Sequence, residues 1–426
     1  MTIQAPRIYS PLLLALLLPS LPTYAGESSP LSLGGSYRLR YESLHNAYRA
    51  GSAGSDQIAV SQLLLSFKAN GEHVFGEFEV EDARSWLDDA GTPLGTDDVN
   101  TLEPLQAWIG WRQQGQFAVK AGRLTLDIGS RRLVARQRFR NTINAFDGVY
   151  GNFQQGVWQW QAMYLMPVER EPSDRTELDS NEMELDEQGD NRFWGLHISH
   201  SGDTNLELYY YGLDEDNDGA QLTTIGFRSF KVATTHQWNY ELETVYQSGE
   251  NGDLDVSAAM VHGHIGYQFA DPLSSRIELI ADYASGDDDP NDDKSNRFNT
   301  LFGVTRFDFG PTGIYGAFAR TNIISPGLKW SFKPASTQTA FMAYRAVWLE
   351  SDTDSHSRSG LRDTTGDSGC FVGHQLEARW RVVFSKQLQL ELGGAYLMKG
   401  EFFKGAPNAP DTGDTTYVYS QITYRL

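Results

Sequence analysis

The chain has 426 residues, with 35 Lys+Arg against 55 Asp+Glu and a formal net charge of −20, a balance that disfavours a nucleic-acid partner. Its 41 Gly and 16 Pro are spread along the whole length, which excludes long helices and low-complexity sequence and suits many short strands. Beyond the first thirty residues there is no long apolar run, so helical membrane spans are excluded, and the single Cys370 forms no internal disulfide.

Arg7 precedes the run Leu12-Leu13-Leu14-Ala15-Leu16-Leu17-Leu18, which is followed by Pro19, Pro22 and the small-x-small pattern Thr23-Tyr24-Ala25. This order predicts a secretory signal peptide over 1–25 and a single mature domain over 26–426. The apolar run is too short to anchor the chain across a bilayer. Export without disulfides fits a bacterial envelope protein.

From Ser36 onward the period is two. Tyr37, Leu39 and Tyr41 alternate with Ser36, Arg38 and Arg40, and Trp238, Leu242 and Tyr246 alternate with Asn239, Glu241 and Glu243. Leu376, Ala378 and Trp380 alternate with Glu377, Arg379 and Arg381; Leu388, Leu390 and Leu392 with Gln389 and Glu391. Val418, Ile422, Tyr424 and Leu426 continue the pattern to the last residue. Turn sequences such as Gln154-Gln155-Gly156, Ser201-Gly202-Asp203 and Gly249-Glu250-Asn251-Gly252 separate the segments. Segment length, aromatic ends and short turns alternating with long loops favour a transmembrane barrel over a soluble sandwich. The expected fold is all-β, a single closed antiparallel transmembrane barrel of about 18 strands with long acidic loops. The alternation breaks between Thr125 and Asn144 and between Asn296 and Gly313.

The acidity is local. Glu169 to Asp190 holds ten Asp/Glu, and Asp214 to Asp218 and Asp287 to Asp293 are further clusters. They read as solvated extracellular loops, with calcium as the cation that such carboxylates would suit. Against this background, Lys120 to Arg140 carries Lys120, Arg123, Arg131, Arg132, Arg136, Arg138 and Arg140 with only Asp127 in opposition. If this stretch is a strand, Arg136, Arg138 and Arg140 share one face, and lipid is closed to them. With Arg38, Arg40, Arg320, Arg345, Arg379 and Arg381 they would form a positive, anion-selective lining. The alternative is a structural ladder with Glu42, Glu77, Glu79, Glu241, Glu243 and Glu377. Gly366-Asp367-Ser368-Gly369 lacks the partners of a serine-protease turn, and His262 and His264 lack a third ligand in sequence, which favours a lumen role over a metal centre.

Ala121-Gly122-Arg123, Arg131-Arg132-Leu133-Val134 and above all the run from Arg140-Asn141-Thr142 to Asp147-Gly148-Val149 resemble the alginate-export porin family of Gram-negative outer membranes. Asp282-Tyr283-Ala284-Ser285-Gly286-Asp287 with Asn299-Thr300-Leu301-Phe302 is similar to the same pattern. The likeness implies an 18-stranded monomeric barrel in the outer membrane. Its electropositive constriction would pass an anionic polysaccharide, delivered by a periplasmic export or polymerase complex, with loops closing the pore at rest. Carried over by position, Arg123, Arg131, Arg132, Arg136, Arg138 and Arg140 approach the constriction, Asp147 orients one of them, and Arg345 and Arg379 join them. Such a channel makes and breaks no bond and needs no cofactor. The rivals are a porin taking up small anions, a barrel enzyme with a spatial Ser–His pair, and an adhesion scaffold without conductance.

Overall fold

A computed structural model describes residues 30–426 apart from 53, 90, 114, 217, 218 and 290. The expected signal peptide over 1–25 and part of the Asp214 to Asp218 cluster lie outside the described residues.

Eighteen antiparallel strands form one closed barrel. In chain order they are β1 Leu31–His45, β2 Ser55–Asn70, β3 Val74–Trp86, β4 Asn100–Gln113, β5 Phe117–Leu124 and β6 Phe146–Gln155. Next come β7 Trp158–Glu169, β8 Arg192–His200, β9 Asn205–Asp214, β10 Ala220–Lys231, β11 Trp238–Asn251 and β12 Leu254–Gln268. The ring is completed by β13 Arg276–Ala284, β14 Ile323–Phe332, β15 Gln338–Trp348, β16 Phe371–Val383, β17 Leu388–Lys399 and β18 Thr415–Arg425. Each strand pairs with its neighbour in sequence, and β1 closes the ring on β18 with Ser36 opposite Arg425 and His45 opposite Thr416. Closure satisfies every wall strand on both edges, the condition for crossing hydrocarbon with strands.

The period of two sorts the side chains. Leu39, Phe67, Ile109, Leu208, Leu279 and Ile422 are exposed on the outer wall, where lipid replaces water as their solvent. Exposed Trp111, Phe117, Trp158, Trp238, Phe269 and Phe384 cluster at the end with the short turns, and Tyr41, Tyr164, Tyr246 and Tyr396 lie toward the other. These are the two aromatic girdles of an outer-membrane barrel. The long connections, 87–99, 125–145, 170–191, 285–322, 349–370 and 400–414, all leave the second end, which is the extracellular rim by the rule that barrel turns are short on the periplasmic side.

The two stretches of broken alternation are loops folded into the lumen. Residues 125–145 are not a strand, because the chain reverses at Gly129 and adopts positive φ at Arg131 (67°) and Gln137 (59°). Arg136, Arg138 and Arg140 therefore share no strand face, and Arg320 lies in the 285–322 loop rather than on the wall. The two loops meet in a short parallel ladder: Phe302 N–H donates to Leu133 O at 2.9 Å, Ala135 N–H to Phe302 O at 3.1 Å and Val304 N–H to Arg131 O at 3.0 Å. Gly303 lies at this crossing, where a Cβ would stand 1.6 Å from Arg132 O. Around it Phe302 packs edge-on against Phe146 at 5.1 Å and Phe193 at 5.2 Å. Leu133, Val134, Ile314, Tyr315 and Phe318 extend this core across the lumen. Each fully buried side chain of this size contributes about 1.5–3 kcal/mol.

Asn141 clips this plug to the wall. Its Nδ2 donates to Ser61 O at 2.9 Å, Asp98 O at 2.7 Å and Arg84 O at 3.2 Å, and its Oδ1 accepts from Arg38. Asn141→Ala leaves buried carbonyls unpaired at about 1–3 kcal/mol each. We expect a lower unfolding midpoint and a noisier, larger single-channel current in planar bilayers, while an unchanged current would show that the clip does not restrain the plug.

Asp98 is buried at the root of β4, and burial first, then Asp97 and Glu42, push its carboxyl up to about 7. Between pH 4 and 7 the folded chain keeps a proton that the unfolded chain releases, so stability falls as pH rises, by up to about 1.4 kcal/mol per pH unit. Thermal unfolding of Asp98→Asn should lose this slope and gain stability at pH 8; a variant with the parent's pH profile would refute the assignment.

Candidate functional site

Alternation fixes which groups enter the lumen. On β1 the exposed Leu39 and Tyr41 face out, so Arg38, Arg40 and Glu42 face in, all buried. Arg38 donates to the carbonyls of Arg138 at 2.7 Å and Arg140 at 2.6 Å. Arg40 bridges Glu42 at 2.6 Å and donates to Phe139 O at 2.5 Å. The wall thus grips the backbone of the infolded 125–145 loop with charge-assisted hydrogen bonds, which are about twice as strong as neutral ones.

The loop's own arginines grip the wall in return. Arg132 holds Glu241 and Glu243 on β11, the latter at 2.6 Å, and chelates Asp308 at 2.9 and 3.2 Å. Asp308 belongs to a one-turn helix, α1 Arg306–Phe309, inside the 285–322 loop. It also accepts from Arg320 at 2.5 Å. Burial raises the pKa of this carboxyl, but Arg132, His262 and Arg320 override it and hold it well below the usual carboxylate range. His262 Nδ1 lies 2.6 Å from Asp282 Oδ1, and Asp282 accepts from Arg345 at 2.6 Å. Arg306 pairs with Glu377 at 2.5 Å and donates to the Tyr419 hydroxyl. These are buried ion pairs whose loss of one partner strands the other charge.

The arginines singled out from sequence divide into clamped and open groups. Arg136 bonds Glu79 at 2.7 Å and Thr125 at 2.8 Å. Arg132 and Arg136 reach their acids in the short-turn halves of β11 and β3. Arg345 is buried against Asp282. Arg123 is bidentate to Asp147 at 3.1 and 3.2 Å and bonds Glu103 at 2.6 Å. It alternates with the inward Lys120 and the core residue Leu124, and the 170–191 loop approaches it through Asp186, whose N–H donates to Glu103.

Arg131, Arg138 and Arg379 are the open ones. Arg131 makes no ion pair among the described residues; its guanidinium lies 4.2 Å from the ring centre of Phe307, itself 49% exposed. Arg138 is 71% exposed and meets Asp127 at 3.1 Å. Arg379 lies over Phe341 at 4.7 Å, with its Nε buried and unpartnered. Arg140 shares Asp97 with Arg170, at 2.7 and 2.6 Å.

Sequence reasoning missed Arg170, Arg306, Asp308 and Arg358, which stand in tracts whose loop composition gives no sign that they fold inward. Arg358 and Arg140 line a cavity of about 260 Å³. His262 does have further donors beside it: Glu241 with His264, and Asp282 with Asp308, each form a three-group cluster, in the lumen rather than in the acidic loops. Arg132, Arg228, Arg320 and Arg345 already balance these carboxylates.

The fold has close counterparts among solved outer-membrane proteins of Pseudomonas aeruginosa. OccK9 (OpdG) superposes with a TM-score of 0.64 at 11% identity, covering 93% of this chain and 98% of that one. OpdK, solved with vanillate, gives 0.62 at 12% identity with coverages of 93% and 98%. OccK8 (OprE) gives 0.61 at 11%, again with 93% and 98% covered. At such identities the likeness speaks for the barrel alone. No curated protein sequence shows significant similarity to the chain. The description of the alginate export family matches residues 29–414, nearly the whole length. A porin-like barrel with two girdles and that match together place the protein in the outer membrane as a transport channel, and the chain belongs to the alginate export family.

Proposed function

We propose that this channel exports an anionic polysaccharide, an alginate-like polyuronate, from the periplasm past its arginine-bearing plug. It acts as a monomer, takes polymer from a periplasmic export or polymerase complex, and catalyses no reaction. The observation that carries the reading is the division of the arginines within one family member. Arg132 and Arg136 are spent on buried carboxylates, whereas Arg131, Arg138 and Arg379 keep guanidinium surface open or stacked on a ring. A polyuronate carries one carboxylate per sugar, and Arg binds carboxylate in a planar fork while remaining charged at any relevant pH. Several weak sites in series allow sliding, where one tight pocket would hold the chain still.

A second reading, uptake of small anions, draws support from OpdK, solved with vanillate, a small carboxylate. Bilayer electrophysiology separates the two. A salt gradient should give an anion-selective reversal potential, and polyuronate added at the short-turn side should block the current. Arg131→Glu with Arg138→Glu should abolish that block. Cation selectivity without block would sink the polyuronate conduit, and block by small carboxylates alone would favour uptake.

The acidic outer loops would repel an emerging polyanion and so help release it. Replacing Asp288, Asp289, Asp292 and Asp293 by Asn should slow secretion in cells; unchanged polymer output would refute that role.

A further inference from the structure

Behind the plug, on the side of the extracellular rim, the cavity of about 260 Å³ is lined by Arg140, Arg170 and Arg358 together with Gln137, Asn144 and Thr305. A second cavity of about 330 Å³ adjoins it, sharing Thr300 and Arg358. Three guanidinium groups here face Asp97, which already bridges Arg140 and Arg170, with the buried Asp98 behind it as the second carboxylate in reach of Arg140. Arg170 spends its Nε, Nη1 and Nη2 on Thr96 O, Asn144 Oδ1 and Asp97. Arg140 spends only Nη1, and the Arg358 guanidinium donates to no protein acceptor among the described residues. Largely enclosed donors in native proteins find partners, and the excess positive charge calls for an anion. Burial, with repulsion from Arg170 and Arg358 and against the pull of Asp97 and Asp98, lowers the Arg140 pKa.

We propose that this cavity is an exit-side subsite for one carboxylate-bearing sugar ring, its carboxylate held between Arg140 and Arg358 as Asp97 is held between Arg140 and Arg170. The size fits: both cavities lie near the lower bound of small-molecule pockets, room for about one ring each. Thr300 and Thr305 offer hydroxyls, and Gln137, whose Nε2 is bound to Gly303 O, offers its amide oxygen, as partners for sugar hydroxyls. The subsite rests on the export reading, in which a carboxylate leaving Arg131 and Arg138 is received next between Arg140 and Arg358.

The test uses the full-length barrel in a planar bilayer with a short oligouronate added at the long-loop side, and a neutral oligoglucose of equal length as control. Oligouronate should reduce the current at concentrations where oligoglucose does not. Arg358→Gln should weaken this block about tenfold, the loss of one charge-assisted contact. Arg358 donates no hydrogen bond to any of the described residues, so its replacement leaves the plug's described packing intact; Arg358→Lys, which keeps the charge without the fork, should fall between. Equal outer-side block in parent and Arg358→Gln, equal block by both sugars, or no outer-side block at all would each overturn the subsite. Loss of anion selectivity and inner-side block in the parent is the separate signature of a failed export reading.

Discussion

A ring of eighteen strands encloses more space than its wall side chains can fill, and the rest of the structure follows from how that space is occupied. Two loops fold inward and zip together at Val134 and Phe302, with Gly303 passing against the Arg132 carbonyl where a Cβ has no room. This contact makes an apolar core inside the barrel, in a place where a wide porin holds water. Phe146, Phe193 and Phe302 supply the burial. Guanidinium groups supply position, because a buried ion pair adds little net stability but is expensive to break.

Clamped and open arginines are interleaved residue by residue along the 125–145 loop. Arg132 is chelated by Asp308 while its neighbour Arg131 turns away at a φ of 67° to lie over Phe307. Positive φ in a non-glycine residue carries strain, and here it sends adjacent arginines to opposite sides of one backbone. The barrel wall cooperates, since Arg38 and Arg40 donate to loop carbonyls, Arg40 while also bridging Glu42 on its own strand, and leave the loop's own side chains free to be apportioned. In the export reading, two roles assigned as alternatives to the same set of charges, a selective lining and a structural ladder, are thus divided among different members of it.

The period of two made the wall legible: Trp238 to Tyr246, Leu388 to Leu392 and Val418 to Tyr424 lie in β11, β17 and β18. Where alternation failed, from Thr125 to Asn144 and from Asn296 to Gly313, the failure itself marked the infolded loops, although their path did not follow from it. A loop that folds inward has no periodicity to announce which side chains will be buried. Arg136, Arg138 and Arg140 were therefore expected on one strand face, and in the structure they meet Glu79, Asp127 and Asp97 separately. The block from Arg140 to Val149 does show its physical content: Asn141 clips the plug, Thr142 bonds Thr96 O, and Phe146 packs the core. Asp308 and Arg358 stayed invisible because the partners of the one and the cavity neighbours of the other come from segments far apart in sequence.

A net charge of −20 looks ill suited to the anion conduit of the export reading, and distance removes the difficulty. The carboxylates of 170–191, of Glu215 and Asp216, and of Asp287, Asp288, Asp289, Asp292 and Asp293 stand at the extracellular rim, where salt screens exposed charges within about 8–10 Å. The arginines on the plug stand inside a low-dielectric wall, where the same charge acts more strongly on a passing carboxylate. The two fields therefore act in sequence along the axis rather than cancelling. In the export reading, a polyanion is attracted while it is in the lumen and repelled once it has passed the plug, and the same arrangement raises a barrier to polyanions arriving from outside.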